Sequence, residues 1–160
     1  MITIITGKVN AGKTTYMQHL YANKKKGDGF VSVKVFENNQ HTGYDLHHLK
    51  TKNTKPFIRK KTKLPQNWQE IFKIGDYSFS KDGFAFAKDI IRNTAEEPVF
   101  IDEIGPLEIF QKSGFYSLLK ERLNSDLYIT LREHLYDDFL KSFAITRKIN
   151  KITIKQTRNE

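Results

Sequence analysis

The run Gly7-Lys8-Val9-Asn10-Ala11-Gly12-Lys13-Thr14 fits G-x-x-x-x-G-K-[ST] without a gap. A triphosphate needs many hydrogen-bond donors in a small concave space. A loop that can curl supplies them from its backbone N–H groups, and glycine permits the curl. The helix opened by such a loop turns its first N–H groups and its dipole toward the anion. The motif places the Lys13 ammonium at the β and γ phosphates and the Thr14 hydroxyl at Mg²⁺, with Thr15 next along the helix start. The expected nucleotide contacts are therefore Gly7, Lys8, Val9, Asn10, Ala11, Gly12, Lys13, Thr14 and Thr15. Lys8 faces either phosphate or solvent. A chance match to four fixed positions arises on the order of once per 200 chains of this length. The setting here, a β-branched run before the loop and helical spacing after it, is the one the motif requires.

A second pair of chemical groups ends another apolar run. Val99-Phe100-Ile101 leads into Asp102-Glu103. A carboxylate at a strand end near a phosphate loop can hold the magnesium shell, which is the role expected of Asp102 together with Thr14. A second carboxylate beside a γ-phosphate can take a proton from water, the role open to Glu103. Consecutive strand residues point to opposite faces, so both acids reach one ligand only if the chain turns at the strand end. Asp102-Glu103-Ile104-Gly105 also fits D-x-x-G, but no stretch matches the Asn-Lys-x-Asp motif that reads guanine. Loose base preference is the expectation.

The elements that must position these groups can be read from hydropathy. Ile2–Thr6 reads as a buried strand. Thr14–Asn23 reads as a helix, closed by Lys24-Lys25-Lys26-Gly27. Phe30–Phe36 alternates as a strand, Asn38-Asn39-Gln40 reads as a turn, and Thr42–Leu49 returns. Lys50–Asn67 is basic and weakly patterned, which predicts a loop or lid with a short strand at Phe57-Ile58. A strand over Phe72–Phe79 is interrupted at Gly75-Asp76. Helices follow at Asp82–Asn93, at Leu107–Leu123 with a weak point at Ser113-Gly114, and at Glu133–Phe143. The remaining strands are Pro98–Glu103, Asp126–Leu131 and Lys151–Lys155. Strands alternating with helices predict one α/β domain over residues 1–160 with a mostly parallel central sheet, flanked by helices and carrying a basic hairpin or lid insertion at about 38–67.

The charge is uneven. The chain of 160 residues carries a formal net charge of +9. Residues 1–63 hold 13 Lys or Arg against 3 Asp or Glu. Residues 64–160 hold 14 against 15. Seven of the basic residues fall at Lys50, Lys52, Lys55, Arg59, Lys60, Lys61 and Lys63, with no acid among them. Such a bias points to a polyanionic partner, either a triphosphate or a nucleic acid. There is no cysteine, which excludes disulfides, thiol nucleophiles and cysteine-ligated zinc. No apolar run approaches the roughly 18 residues that span a bilayer, and no signal-peptide pattern precedes Ile2. The expectation is a soluble cytoplasmic protein with no membrane partner. His41, His47 and His48 lack the ligand company of a metal site. Trp68 is a remote candidate for base stacking.

With these motifs in place, the chain resembles the small nucleoside-triphosphatases that include the cancer-related nucleoside-triphosphatase of animals and its archaeal and bacterial counterparts. The resemblance rests on the P-loop together with Asp102-Glu103-Ile104-Gly105 and Glu108. It also rests on Gly29-Phe30, Gly43-Tyr44-Asp45-Leu46 and Ile74-Gly75-Asp76-Tyr77, and it covers roughly residues 1–131. Lys8 and Asn10 stand where Gly or Val are more usual. Family members carry Asn-Arg-Asp near the carboxyl end, where this chain has Thr157-Arg158-Asn159. The resemblance implies a RecA-like P-loop fold, Mg²⁺-dependent hydrolysis of ATP, GTP and other nucleoside triphosphates, and Glu103 as the water-activating base.

Two other readings stay open at this stage: a small nucleotide or nucleoside kinase, and a nucleic-acid-binding switch contacting its partner through Lys50–Lys63. For that segment a lid over the triphosphate is favoured over nucleic acid, with a solvated loop as the bland alternative. Thr130, at the end of its strand, is either a γ-phosphate sensor or a β-forming filler. Arg132 is either a cation for the transition state or a surface residue. Glu108 completes the weaker candidates.

Overall fold

The structure is a computed structural model that describes residues 1–156; Thr157-Arg158-Asn159 lies outside the described residues. Strand β1 (Ile2–Gly7) leads through the glycine-rich loop into α1 (Lys13–Lys24). A hairpin follows, β2 (Asp28–Glu37) and β3 (Gln40–His48). Its two turn residues, Asn38 and Asn39, both have positive φ, 50° and 62°, the tight-turn geometry that suits the twist of paired strands. Then come β4 (Thr54–Lys60), β5 (Glu70–Ile74), β6 (Tyr77–Ser80) and α2 (Lys81–Asn93). Strand β7 (Val99–Ile104) carries the acid pair, followed by α3 (Pro106–Gln111) and α4 (Tyr116–Arg122). Strand β8 (Leu127–Arg132), α5 (Tyr136–Ser142) and β9 (Ile149–Ile154) complete the described chain.

All these strands join one sheet in the order β5-β6-β4-β3-β2-β7-β8-β1-β9. From β2 to β9 the neighbours pair in parallel: β2 with β7, β7 with β8, β8 with β1 and β1 with β9. From β2 outward to β5 every pairing is antiparallel. The sheet is therefore mixed. The expected parallel core is one half of it, because three hairpin connections between β2 and β6 are too short for parallel crossovers.

Helices cover both faces. On one, Met17 of α1 packs on Ile5, Val31 and Phe100. On the other, Ala87 and Ile91 of α2, Leu118 and Leu119 of α4 and Phe139 of α5 pack on Ile2, Ile4, Phe30, Ile101 and Ile129. Strand β1 buries side chains on both faces, which is why it reads as a continuous β-branched run without alternation.

Three expectations change. Lys50–Asn67 is not mainly loop: it contains β4, an interior strand between β3 and β6 whose Phe57 and Ile58 lie in the core. The short strand expected at Phe57-Ile58 is thus longer, and its basic flanks hid that length, since only those two residues are buried. The stretch Phe72–Phe79 is two strands, a hairpin turning at Gly75-Asp76. The helix over Leu107–Leu123 divides into α3 and α4 at the predicted weak point, where Lys112 and Gly114 both take positive φ. Among the described residues no helix is long and apolar enough to cross a membrane.

Candidate functional site

The ends of β1, β7 and β8 converge with the start of α1 on a cavity of about 430 Å³. Its walls include Val9–Thr15 of the loop and helix start, Glu103 of β7 and Thr130 and Arg132 of β8. The loop turns at Asn10 (φ 61°) and at Gly12 (φ 95°), a left-handed conformation that a side chain at position 12 would strain. No side chain caps α1, so its first N–H groups remain available to an anion. Lys13 Nζ donates to the carbonyls of Gly7 (3.2 Å) and Lys8 (2.8 Å), which pins the ammonium inside the loop. Burial lowers its pKa from the usual lysine value, against the attraction of the Glu103 charge. Gly7 and Lys8 shape the loop through these carbonyls but do not line the cavity.

Asp102 is fully buried behind this wall. Its Oδ2 accepts from Thr14 Oγ1 (2.8 Å) and the Ser32 amide (2.9 Å). Its Oδ1 accepts from Thr130 Oγ1 and the Glu103 amide. Burial raises the carboxyl pKa, and these hydrogen bonds, led by that from Thr130, oppose the rise. Because Thr14 gives its proton to Asp102, its oxygen lone pairs remain for a cation in the cavity. A threonine hydroxyl backed by a carboxylate, with a second carboxylate opposite, is the all-oxygen donor set that Mg²⁺ takes with several of its waters retained. The residues fit that ion.

The turn that lets both acids serve one site is a β-bulge. Ile101 pairs with Ile129 and Ile104 with Leu131, so Asp102 and Glu103 together face the single residue Thr130. Glu103 takes φ 64°, an unfavourable value for a residue with a side chain. Its amide is held by Thr130 Oγ1 (2.8 Å) as well as by Asp102. Asp102 thus points into the protein and Glu103 into the cavity. Glu103 keeps water contact on the cavity side while protein crowds its other sides. That crowding first, and the Asp102 charge second, lift its pKa to about 7, against Lys13 and Arg132.

The weaker candidates separate. Thr130 is neither filler nor, in this geometry, a free sensor: its hydroxyl ties Asp102 to the Glu103 amide. Arg132 lines the cavity and stays exposed, beside Gly7 in the β1–β8 register. Glu108 lies outside the cavity lining. It is 4% exposed, and its two oxygens accept from the amides of Gly105 and Phe115, both at 3.0 Å. This clamps the start of α3 to the start of α4. Gly114 (φ 63°) leaves the space Glu108 needs, since a Cβ there would meet Oε2 at 2.0 Å. Trp68 donates to Ser78 Oγ and has no place in the cavity. His48 pairs with Asp28, and the described residues contain no cluster of three or more His, Asp and Glu side chains that could hold a metal by themselves.

The basic segment stays off the cavity lining. Arg59 bonds Asp45 and the carbonyls of Tyr44 and Ile58, Lys50 pairs with Glu96 and Lys63 with Glu37. None of Lys50–Lys63 lines the wall over the phosphate loop. That wall comes instead from Ser32, Lys34 and Phe36 of β2 and Tyr44 of β3, with Gln18 of α1, residues that sequence reasoning missed. Their signal was the two-residue spacing of Ser32, Lys34 and Phe36, which marks one strand face without saying what it faces.

A family model described as NTPase matches residues 2–160. The chain belongs to this NTPase family. Among solved structures, this NTPase is similar to THEP1 from the hyperthermophile Aquifex aeolicus, with TM-score 0.71, 22% identity, and coverage of 97% of this chain and 90% of that one. It is also similar to a human cancer-related nucleoside triphosphatase, with TM-score 0.68, 19% identity, and coverage of 96% and 88%. At these identities the likeness carries the fold. No curated protein matches the sequence. The family description favours a triphosphatase over the kinase alternative.

Proposed function

We propose that this NTPase hydrolyses nucleoside triphosphates, ATP and GTP among them, to the diphosphate and phosphate with Mg²⁺, using Glu103 as the base. The observation that carries this reading is the bulge at Asp102-Glu103. It sends one carboxylate to the Thr14 side and the other into the cavity with a pKa of about 7. Held by the Thr14 hydroxyl, with Asp102 behind it as that hydroxyl's acceptor, Mg²⁺ would neutralise charge on the β and γ phosphates. The protein does the rest. Loop amides and Lys13 hold the phosphates in place, and Arg132 adds positive charge on the β8 side. Ionised Glu103 accepts the proton of the attacking water, at a pKa matched to neutral pH. Thr130 and the Glu103 amide keep Asp102 from rotating, so the two acids stay in separate roles.

Glu103→Gln tests the assignment. The amide keeps shape but takes no proton, so nucleotide affinity should stay within about threefold while phosphate release falls roughly 10²-fold or more. Unchanged phosphate release in this variant removes Glu103 from the mechanism.

A further inference from the structure

Strand β2 pairs with β7 only from Asp28 to Phe30. Past Phe30 it continues to Glu37 with β3 as its remaining partner, so residues 31–37 overhang the acid-bearing end of β7. Ser32, Lys34 and Phe36 of this overhang line the phosphate cavity. Two of them have features that the reaction as described does not use. Ser32 is 3% exposed, its amide is committed to Asp102, and its hydroxyl has no hydrogen-bond partner. A buried hydroxyl without a partner is costly unless a ligand supplies one. Lys34 reaches across the cavity mouth and donates its ammonium to Asn10 Oδ1 of the phosphate loop. With Lys13 and Arg132 it completes the cations of the cavity wall.

We propose that Ser32 and Lys34 form a γ-phosphate clamp, a subsite that distinguishes nucleoside triphosphates from diphosphates. The inference rests on the hydrolase reading above. Lys13 enters from the loop and Arg132 from β8; Lys34 enters from the opposite side, next to the acid pair, where the terminal phosphoryl group must lie for Glu103 to act on water in line. The Asn10 amide is a neutral acceptor. A phosphate oxygen in reach of the same ammonium gives a charge-assisted bond roughly twice as strong, so Lys34 exchanges one for the other. The Lys34 charge also acts on Glu103, lowering its pKa, which places the two within electrostatic reach. Ser32 donates its unused proton to the same phosphoryl group. Loss of the γ-phosphate removes both contacts, so the diphosphate product is held by the loop alone and leaves.

Competition binding with Mg²⁺ tests the clamp, using β,γ-imido-ATP and ADP against a fluorescent ADP analogue. In Lys34→Ala the imido-ATP affinity should fall roughly tenfold while ADP affinity stays within twofold. Lys34→Arg, which keeps the charge, should retain most of the difference. Ser32→Ala should lose roughly threefold in imido-ATP affinity alone, with unliganded thermal stability equal to or above the parent, because the hydroxyl it removes had no partner. Equal losses for both nucleotides, or no loss in Lys34→Ala, overturn the clamp while leaving the hydrolase reading in place. A parent protein that binds neither nucleotide overturns both.

Discussion

The two halves of the sheet carry different work. In the parallel half, β1, β7 and β8 end at the same edge and each delivers a chemical group there: the phosphate loop, the acid pair, and Thr130 with Arg132. In the antiparallel half, β3, β4, β5 and β6 extend the sheet, with the seven basic residues of Lys50–Lys63 in and beside β4, yet of these strands only β3, through Tyr44, reaches the cavity. Parallel strands run the same way, so their carboxyl ends gather in one place and a site forms by topology. Antiparallel strands alternate direction and disperse their ends. Charge density was therefore a poor guide to the site, and strand ends were a good one.

The sharpest way to break this contrast is to disable the parallel half. Lys13→Ala removes the one ammonium fixed within the loop by the Gly7 and Lys8 carbonyls. Hydrolysis should fall roughly 10²–10³-fold, the scale set by losing one preorganised electrostatic contact, with the circular dichroism spectrum unchanged. Turnover within twofold of the parent means that the phosphate loop is not the site.

Next in size is a pH effect. Glu103 is a base only when ionised, and its pKa is raised from 4.5 to about 7. kcat/KM, which reports the free enzyme, should therefore rise with pH up to about 7 and then level off. An ascending limb near 4.5 means the bulge does not tune the acid. Glu103→Gln should remove the limb altogether.

The site was legible where its chemistry is local. Gly7–Thr14 announces a loop between a strand and a helix in one continuous run, and Val99–Glu103 announces a strand ending in acids. The bulge was not legible. Its cause is the pairing of β7 with β8, and in particular Thr130, 27 residues beyond Glu103, whose hydroxyl fixes the Glu103 amide. The Ser32–Lys34 wall was missed for the same reason: a strand face is readable by its period of two, but its partner depends on how far β2 outruns β7. In the fold, the hydrophobic runs placed nearly every element, and β4 was read as too short because only Phe57 and Ile58 mark its buried part.

Glu108 sharpens the contrast within the parallel half, because it looks like a site residue in sequence and acts as a clamp in structure. Glu108→Ala leaves the Gly105 and Phe115 amides without their acceptor, at a cost of about 2–4 kcal/mol. Urea denaturation should show this loss. The native pKa is raised from 4.5 to about 7 by burial, so this group favours folding most below pH 4.5, and its contribution is lost as pH rises to about 7. The variant should accordingly show a flatter decline in stability between pH 5 and 8 than the parent.

The smallest expected effect tests the antiparallel half directly. Lys52, Lys55, Lys60, Lys61 and Lys63 can be changed to Gln together, leaving Arg59, whose bonds to Asp45 and two carbonyls tie β3 to β4. None of the five lines the cavity. Charges outside it act on a triphosphate through water, and at about 0.15 M salt they are screened over roughly 8 Å. KM and kcat for ATP should therefore stay within about twofold of the parent at that ionic strength. A modest rise in KM should appear at about 0.01 M salt, where screening extends to roughly 30 Å and long-range attraction of the anion is felt. A fivefold or greater loss of kcat at 0.15 M would mean that the segment folds over the nucleotide during turnover, restoring the lid that its composition suggested. Unchanged kinetics, with loss of salt-sensitive binding to labelled single-stranded DNA or RNA, would instead assign the basic excess to nucleic acid and complete the division of labour between the two halves.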